Sequence, residues 1–318
     1  MKLQLSDRLA EIPYRFFGSP THAGTATWPL SKGDLARISI TWPTVYQHPP
    51  AAFFYVTLKD AFHRLGVLRF EHTEQVHKGV VLLVCVVDGR RHLVALEGSD
   101  DKNFINHAAL DLASLYIKMM FREEGYDDPR IIRGGYPVTL RDYYRYFMPY
   151  RRLGNANPSI DVMARFGYEF QRDFRLKAVN LLSSVPEIRC VGSTGKVRYS
   201  RFLREAASAR LSLNLPGNGP FTHRVVEFLG LGTCMMSLRL TASLHVPLVP
   251  GIHYVEIADD LSDLIMKTKY YLAHEDERKK IALAGAEFFD RYLHSEQLVQ
   301  YLIRRILDHL GRNDAKES

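Results

Sequence analysis

The stretch Leu215–Gly232, LPGNGPFTHRVVEFLGLG, decides how the second half of the chain is read. It continues the apolar run from Leu211, breaks at Pro216-Gly217-Asn218-Gly219, and resumes with helical spacing from about Phe221 to Leu229, where Gly230 and Gly232 close it. That is a strand feeding a helix through a glycine turn. The first backbone N–H groups of such a helix have no acceptor inside it, and the helix dipole adds partial positive charge, so the junction suits a phosphate. Arg224 and Glu227 are three residues apart and His223 and Glu227 four, so these side chains can share one helical face. An arginine at the helix start can pair with a diphosphate, and a glutamate one turn further can accept hydrogen bonds from ribose hydroxyls. Gly217, Asn218, Gly219, Thr222, His223, Arg224 and Glu227 are therefore the candidate donor-binding set. Glycine turns also enter helices where nothing binds, and an Arg–Glu pair on one face can be a plain salt bridge. Neither GxGxxG after the first strand nor GxxxxGK[ST] occurs, which counts against dehydrogenases and P-loop nucleotidases.

Upstream of this stretch, the pattern predicts strand Ile160–Phe166, helix Arg172–Leu182, strand Ile188–Val191 and helix Ser200–Ala207. Downstream it predicts strand Thr233–Ser237, a short strand Tyr254–Ile257, then helices near Leu261–Leu272, Glu275–Phe289 and Gln297–Leu310. Strands alternating with helices of this length imply a parallel, doubly wound sheet, so the fold class is α/β. Arg165 and Arg172 flank the end of the first of these strands, the edge of the sheet where ligands bind, and join the donor-binding candidates. Between Arg165 and Arg210 ten basic residues face four acidic ones, a surplus of six out of seven for the chain. Asp259-Asp260 and Asp127-Asp128 read as caps or turns rather than metal ligands.

The first half is less regular. Thr21–Thr27 and Trp42–Pro50 read as loops, Ala51–Leu65 as a helix after a double proline, and Val80–Val87 and His92–Leu96 as a hairpin around Asp88-Gly89. The acidic loop Glu97–Asp101, a helix from His107 to about Arg122, and a short strand Arg130–Ile132 follow. Small helix-breaking residues at Leu153–Pro158 set an expected boundary, giving domains 1–152 and 153–318.

At 318 residues, 46% hydrophobic and 24% charged, the chain is long enough for about two domains of ordinary globular composition. Its 42 Lys and Arg outnumber 35 Asp and Glu, which suits an anionic ligand, an acidic lipid surface or nucleic acid without choosing among them. Basic helices here are not interleaved with aromatics in a stacking pattern, so nucleic acid is not an expected partner. The three cysteines are scattered, without zinc-ligand spacing, and read as reduced thiols of a cytosolic protein. Asp7 and Glu11 interrupt what would be the core of a secretory signal, and no apolar run is long enough to span a bilayer. The segment Arg141–Arg152, RDYYRYFMPYRR, offers either a peripheral contact with the inner face of a membrane or an ordinary helix.

Two blocks carry a resemblance to a known family: LNLPGNGPFTHRVVEFLGLGTCMMS, and LVPGIHYVEIADDLSDLIMKTKYYLAHEDERKKIALAGAEFF. They resemble the donor-binding domain of GT-B-fold glycosyltransferases, closest to the capsule-associated and protein O-glucosyltransferase family and the spore-maturation-type members of group 1. VALEGSDD and LYIKMMFREEGY give a fainter echo in the first half. The resemblance implies two Rossmann-like domains facing a cleft, with nucleotide-sugar held by the second, acceptor by the first, and the last helix packed on the first. It assigns Arg224 to the donor diphosphate and Glu227 to the nucleotide ribose. Many retaining group 1 enzymes carry two glutamates with seven residues between them; Glu227 would be the second, and Gly219 stands at the first. This implies inversion. Helix-end N–H groups and arginines would stabilise the departing diphosphate without a metal or other cofactor. An inverting reaction needs a base near the acceptor hydroxyl. Among Asp100, Asp101, His22 and His107 the reading favours Asp101, with His22 kept because histidine titrates near neutrality. The rival expectation is a non-catalytic module of the same fold that binds a glycan or a protein.

Overall fold

Apolar patterning of period two and period 3.6 resolves into two α/β units. In the computed structural model the described residues are 26–46, 52–75, 77–137, 147–152, 158–167, 169–193 and 197–311. Unit 1 comprises Met1–Asp142, Ala242–Val246 and Arg291–Ser318; unit 2 comprises Tyr143–Thr241 and Pro247–Asp290.

Unit 1 is built on a six-stranded sheet in the order β2-β1-β3-β4-β5-β7: β1 Ile38–Tyr46, β2 Leu68–Gln75, β3 Val80–Val87, β4 Arg90–Glu97, β5 Leu115–Lys118 and β7 Ile131–Arg133. β1 runs parallel to β2, and β4, β5 and β7 are parallel, but β3 is antiparallel to both β1 and β4. The sheet is therefore mixed rather than wholly parallel, because Asp88 (φ +50°) and Gly89 (φ +80°) turn β3 directly into β4. Alternation along β3 splits the core. Val81, Leu83, Cys85 and Val87 face one cluster, Val80 and Leu82 the other. Helix α1 (Lys32–Ala36) precedes β1, and the first face is covered by α2 (Ala52–Arg64) and by the last helix, α9 (Ser295–Leu310), which buries Leu298, Val299, Leu302, Ile303, Ile306, Leu307 and Leu310 there. The packing of the last helix on the first sheet agrees with the implied fold. α3 (His107–Leu112) covers the other face through Ala109 and Leu110. The short strands β6 (Phe121–Arg122) and β12 (Ala242–Ser243) pair antiparallel.

Two expectations fail in this unit. Trp42–Tyr46 is the end of β1 rather than a loop. The β-branched run ISITW governs, and Pro43 lies beyond the part of β1 that pairs with β3. The long helix expected from His107 to Arg122 is only α3, and Leu115–Lys118 is a fully buried strand. An aromatic and β-branched run, LYIK, fits a slot between two strands better than another helical turn.

Unit 2 is a parallel five-stranded sheet in the order β13-β11-β10-β8-β9: β8 Ile160–Arg165, β9 Cys190–Ser193, β10 Ala209–Asn214, β11 Cys234–Ser237 and β13 Val255–Glu256. Helices α4 (Arg172–Ser183), α5 (Tyr199–Ala207) and α6 (His223–Leu231) alternate with the strands, as the spacing predicts, and α7 (Leu264–Ala273) and α8 (Glu275–Phe288) follow. Val162, Ala164, Leu211, Leu213, Cys234, Met236 and Val255 form one core with Ala178, Leu182, Leu264 and Ile281. Gly232, at φ +69°, caps the carboxyl end of α6, where a side chain would be strained. The described end of the Arg141–Arg152 segment is packed within this unit. Phe147 is buried, and Arg151 donates to the Gly230 carbonyl and pairs with Asp290 at 2.9 Å.

Among the described residues the basic side chains between Arg165 and Arg210 do not make one stripe; Lys196 lies outside the described residues. Arg165 and Arg201 share Glu205, Arg189 and Arg210 share Asp161, and Arg175 lies inside the fold. All three cysteines are free thiols. No helix of the described residues is long and apolar enough to cross a membrane.

Candidate active site

The carboxyl ends of β10 and β11 are the polar edge of unit 2. Asn214, the last residue of β10, is buried and donates through Nδ2 to Ser237 Oγ at 3.0 Å. Thr222, the N-cap of α6, spends its hydroxyl on Asn214 Oδ1 at 2.8 Å and makes no side-chain cap. The first turn of α6 thus keeps the positive end of its dipole without the usual hydroxyl over it. The turn before it places Asn218 at the surface and Gly219 in a buried position.

Arg224, in the first turn of α6, is 5% exposed and donates through Nη2 to the Leu215 carbonyl at 3.0 Å. Its guanidinium lies 5.3 Å from the centre of the Phe166 ring. Arg175 of α4, which sequence reasoning did not single out, lies 5.6 Å from the same ring and is also buried. It donates to the carbonyls of Gly167 and Pro216, the latter at 2.6 Å, tying the turn after β8 to the turn after β10. A Cβ at Gly217 would come within 3.4 Å of Arg175 Nη2, so the turn rests directly on this side chain. The signal in the sequence was an arginine on the apolar side of a helix, three residues before Ala178 and seven before Leu182.

Glu227 is 1% exposed. Its Oε1 accepts from the Tyr199 hydroxyl at 2.9 Å; Oε2 has no hydrogen-bond partner and lies 4.0 Å from His223 Nε2. Tyr199 opens α5 and is fixed by a ladder of rings: it stacks on Phe202 at 6.0 Å and 12°, and Phe202 stacks on Phe228 at 6.1 Å and 19°. Beside it, Val197, Arg198, Ser200, Arg201 and Arg204 line a groove of about 440 Å³.

Among the described residues no hydrogen bond or ion pair joins the other two proposed arginines to this cluster. Arg165 ends β8, but its guanidinium is held by both oxygens of Glu205. Arg172 is an exposed residue at the start of α4.

In unit 1, Asp101 is exposed in the loop after β4, and its Oδ1 accepts the Asn103 N–H at 2.8 Å. His107 starts α3 and is exposed. His22 lies outside the described residues. Sequence reasoning missed what holds the Asp101 loop. Glu97 and Lys118 end the adjacent parallel strands β4 and β5 in register, both side chains fully buried, with Nζ 2.5 Å from Oε2. Lys118 also donates to the Asp101 carbonyl at 3.0 Å and the Phe104 carbonyl at 2.8 Å, which uses its three protons. Ser99 N–H donates to Glu97 Oε1 at 3.1 Å, and the Tyr116 hydroxyl lies 3.4 Å from Oε2. Burial pushes the Glu97 carboxyl up to about 7 against the pull of Lys118, and lowers Lys118 from the usual lysine range.

The family described as glycosyl transferase-like matches residues 172–304. This span holds α4, α5, α6 and the glycine turn, so the cluster around Arg224 and Glu227 lies inside the matched stretch. Protein O-glucosyltransferase 2 of Danio rerio is 41% identical over 54 residues, 17% of this chain and 11% of that protein. The chain thus matches about a tenth of the length of that curated relative. Among solved structures, sucrose-phosphate synthase from Thermosynechococcus elongatus is similar over 64% of this chain and 60% of that one, with TM-score 0.46 and 14% identity. WaaG, a glycosyltransferase involved in lipopolysaccharide biosynthesis, covers 63% and 66% with TM-score 0.40 and 16% identity. The pneumococcal O-GlcNAc transferase GtfA, solved with UDP and GlcNAc, covers 63% and 46% with TM-score 0.41 and 12% identity.

Proposed function

We propose that the chain is a glycosyltransferase that moves a sugar from a nucleotide-diphosphate donor to a hydroxyl acceptor, with inversion and without a metal. The observation that carries this reading is the start of α6. Thr222 leaves the helix end uncapped, Arg224 lies beneath the same turn, and the match to the glycosyl transferase-like family spans both.

The diphosphate of the donor would take the first-turn N–H groups of α6, with Arg224 supplying positive charge. As the bond between the sugar and the diphosphate breaks, negative charge grows on the leaving group. Fixed dipoles and a buried guanidinium stabilise that charge without reorganising, which is the catalytic contribution of unit 2. Arg175 keeps the turn in place. Glu227, with one oxygen held by Tyr199 and the other open, would accept a ribose hydroxyl. Asp101 would take the proton of the attacking acceptor hydroxyl, and His22 is the alternative base. Inversion is supported by Gly219, which occupies the place of the first carboxylate in the paired-glutamate pattern of retaining relatives. Peripheral attachment to a membrane belongs to this reading only if the acceptor is lipid-linked.

Donor hydrolysis in the absence of acceptor tests the reading. A panel of UDP-, GDP- and ADP-sugars incubated with the protein should release one nucleoside diphosphate slowly and catalytically. Tight binding of a glycan with no turnover of any donor would establish the binding module instead.

A further inference from the structure

Unit 1 carries a second basic cluster, Arg122 and Arg133, near the carboxyl ends of β5 and β7. Arg133 is the last residue of β7, and its guanidinium lies 4.6 Å from the centre of the Phe121 ring. Arg122, the second residue of β6, lies 4.2 Å from the centre of the Tyr126 ring. The two rings meet edge to face at 5.0 Å and 82°, so both cations rest on one aromatic pair.

The backbone around them is fixed. The Tyr301 hydroxyl donates to the Arg133 carbonyl at 2.8 Å, and the Tyr126 hydroxyl donates to the Lys102 carbonyl in the loop that carries Asp101. Gly134 follows Arg133 so closely over β5 that a Cβ there would lie 2.8 Å from Ile117 Cγ2 and 3.1 Å from the Lys118 carbonyl.

Among the described residues the one carboxylate paired with Arg122 is Glu124 at 4.0 Å, which is 65% exposed, and the buried Arg122 Nε has no hydrogen-bond partner there, while the side chain also hydrogen-bonds Tyr126. Among the described residues no carboxylate pairs with Arg133. Guanidinium forks held against rings match the oxygens of a phosphate better than they match neutral hydroxyls.

We propose that Arg122 and Arg133 form an anion site that takes a phosphate group carried by the acceptor. The assignment to an acceptor rests on the transferase reading; the binding of phosphate does not. The test is calorimetry on the full chain saturated with UDP, titrated separately with glucose 6-phosphate, glucose and inorganic phosphate. Glucose 6-phosphate should bind, glucose should bind at least tenfold more weakly, and Arg122→Gln and Arg133→Gln should each lose about tenfold or more with unchanged UDP affinity. Arg133→Lys, which keeps the charge and not the fork, should lose less than Arg133→Gln. Equal affinity for the two sugars, no binding of glucose 6-phosphate up to 10 mM (roughly −2.7 kcal/mol), or undiminished binding in a folded double variant would overturn the site. Inorganic phosphate binding as tightly as the sugar phosphate would assign the site to free phosphate and overturn its acceptor role. Should UDP fail to bind while glucose 6-phosphate binds through these arginines, the transferase reading falls and the anion site stands.

Discussion

The hydroxyl of Tyr199 donates to Oε1 of Glu227 at 2.9 Å, and the other oxygen of that carboxylate, buried in the first turns of α6, carries no hydrogen bond. A buried carboxylate with an unspent oxygen is costly unless a donor arrives. A ribose hydroxyl would be that donor. Glu227→Gln should therefore weaken UDP binding by about tenfold or more, measured by calorimetry, while leaving the fold intact. Tyr199→Phe should destabilise the protein by about 1 kcal/mol or more in urea melts, because Oε1 then loses its donor.

Arg175 joins two turns through backbone carbonyls, so its removal acts on stability and binding together. Arg175→Met should cost about 1–3 kcal/mol, because the Gly167 and Pro216 carbonyls lose their donors, and should lower UDP affinity about tenfold. Lys279→Met, which breaks only an exposed pair with Glu275, should cost less than about 1 kcal/mol and leave UDP affinity unchanged. Equal effects from the two variants would contradict the role given to Arg175.

The Glu97–Lys118 pair predicts a particular pH dependence. The carboxyl is raised from 4.5 in the unfolded chain to about 7 in the fold. Between those values the native state binds the proton more tightly, so the contribution of Glu97 to stability is greatest below 4.5 and declines as pH rises to about 7. Glu97→Gln should remove that decline, visible as a flatter difference in unfolding free energy across this range. Lys118→Met should cost about 3–5 kcal/mol at neutral pH, and Glu97→Gln combined with it should recover much of the loss. Additive effects of the two substitutions would show that the pair does not act as a unit.

If Asp101 is the base, Asp101→Asn should reduce kcat by about a hundredfold or more with little change in UDP affinity. Activity should survive EDTA. Loss on chelation with rescue by manganese would contradict the metal-independent mechanism.

The parts of the molecule legible in the sequence are those where a local signal and the tertiary role coincide. In unit 2 a regular alternation of apolar strands and helices fixes a parallel sheet, and Pro216–Gly219 marks the turn between β10 and α6. Asp88-Gly89 marks the hairpin for the same reason: left-handed backbone needs particular residues. Where neighbours decide, the signal fades. Leu115–Lys118 is too short a run to mark its own bounds beside the helical spacing before it, and it becomes a strand because it is inserted between β4 and β7. Lys118 looks like a surface residue until Glu97 appears beside it in register. The donor-side candidates separate in the same way. Arg224 adjoins the glycine turn in sequence and in space, whereas Arg165 is taken by Glu205, forty residues away, and Arg175 reaches the turn from another helix.

The measurement that bears most directly on the central claim is titration of the wild type and of Arg224→Ala with UDP, GDP and ADP. The account predicts that the wild type binds at least one nucleoside diphosphate, and that a folded Arg224→Ala protein binds it at least a hundredfold more weakly. No binding of any of the three by the wild type, or equal binding by the variant, would contradict it.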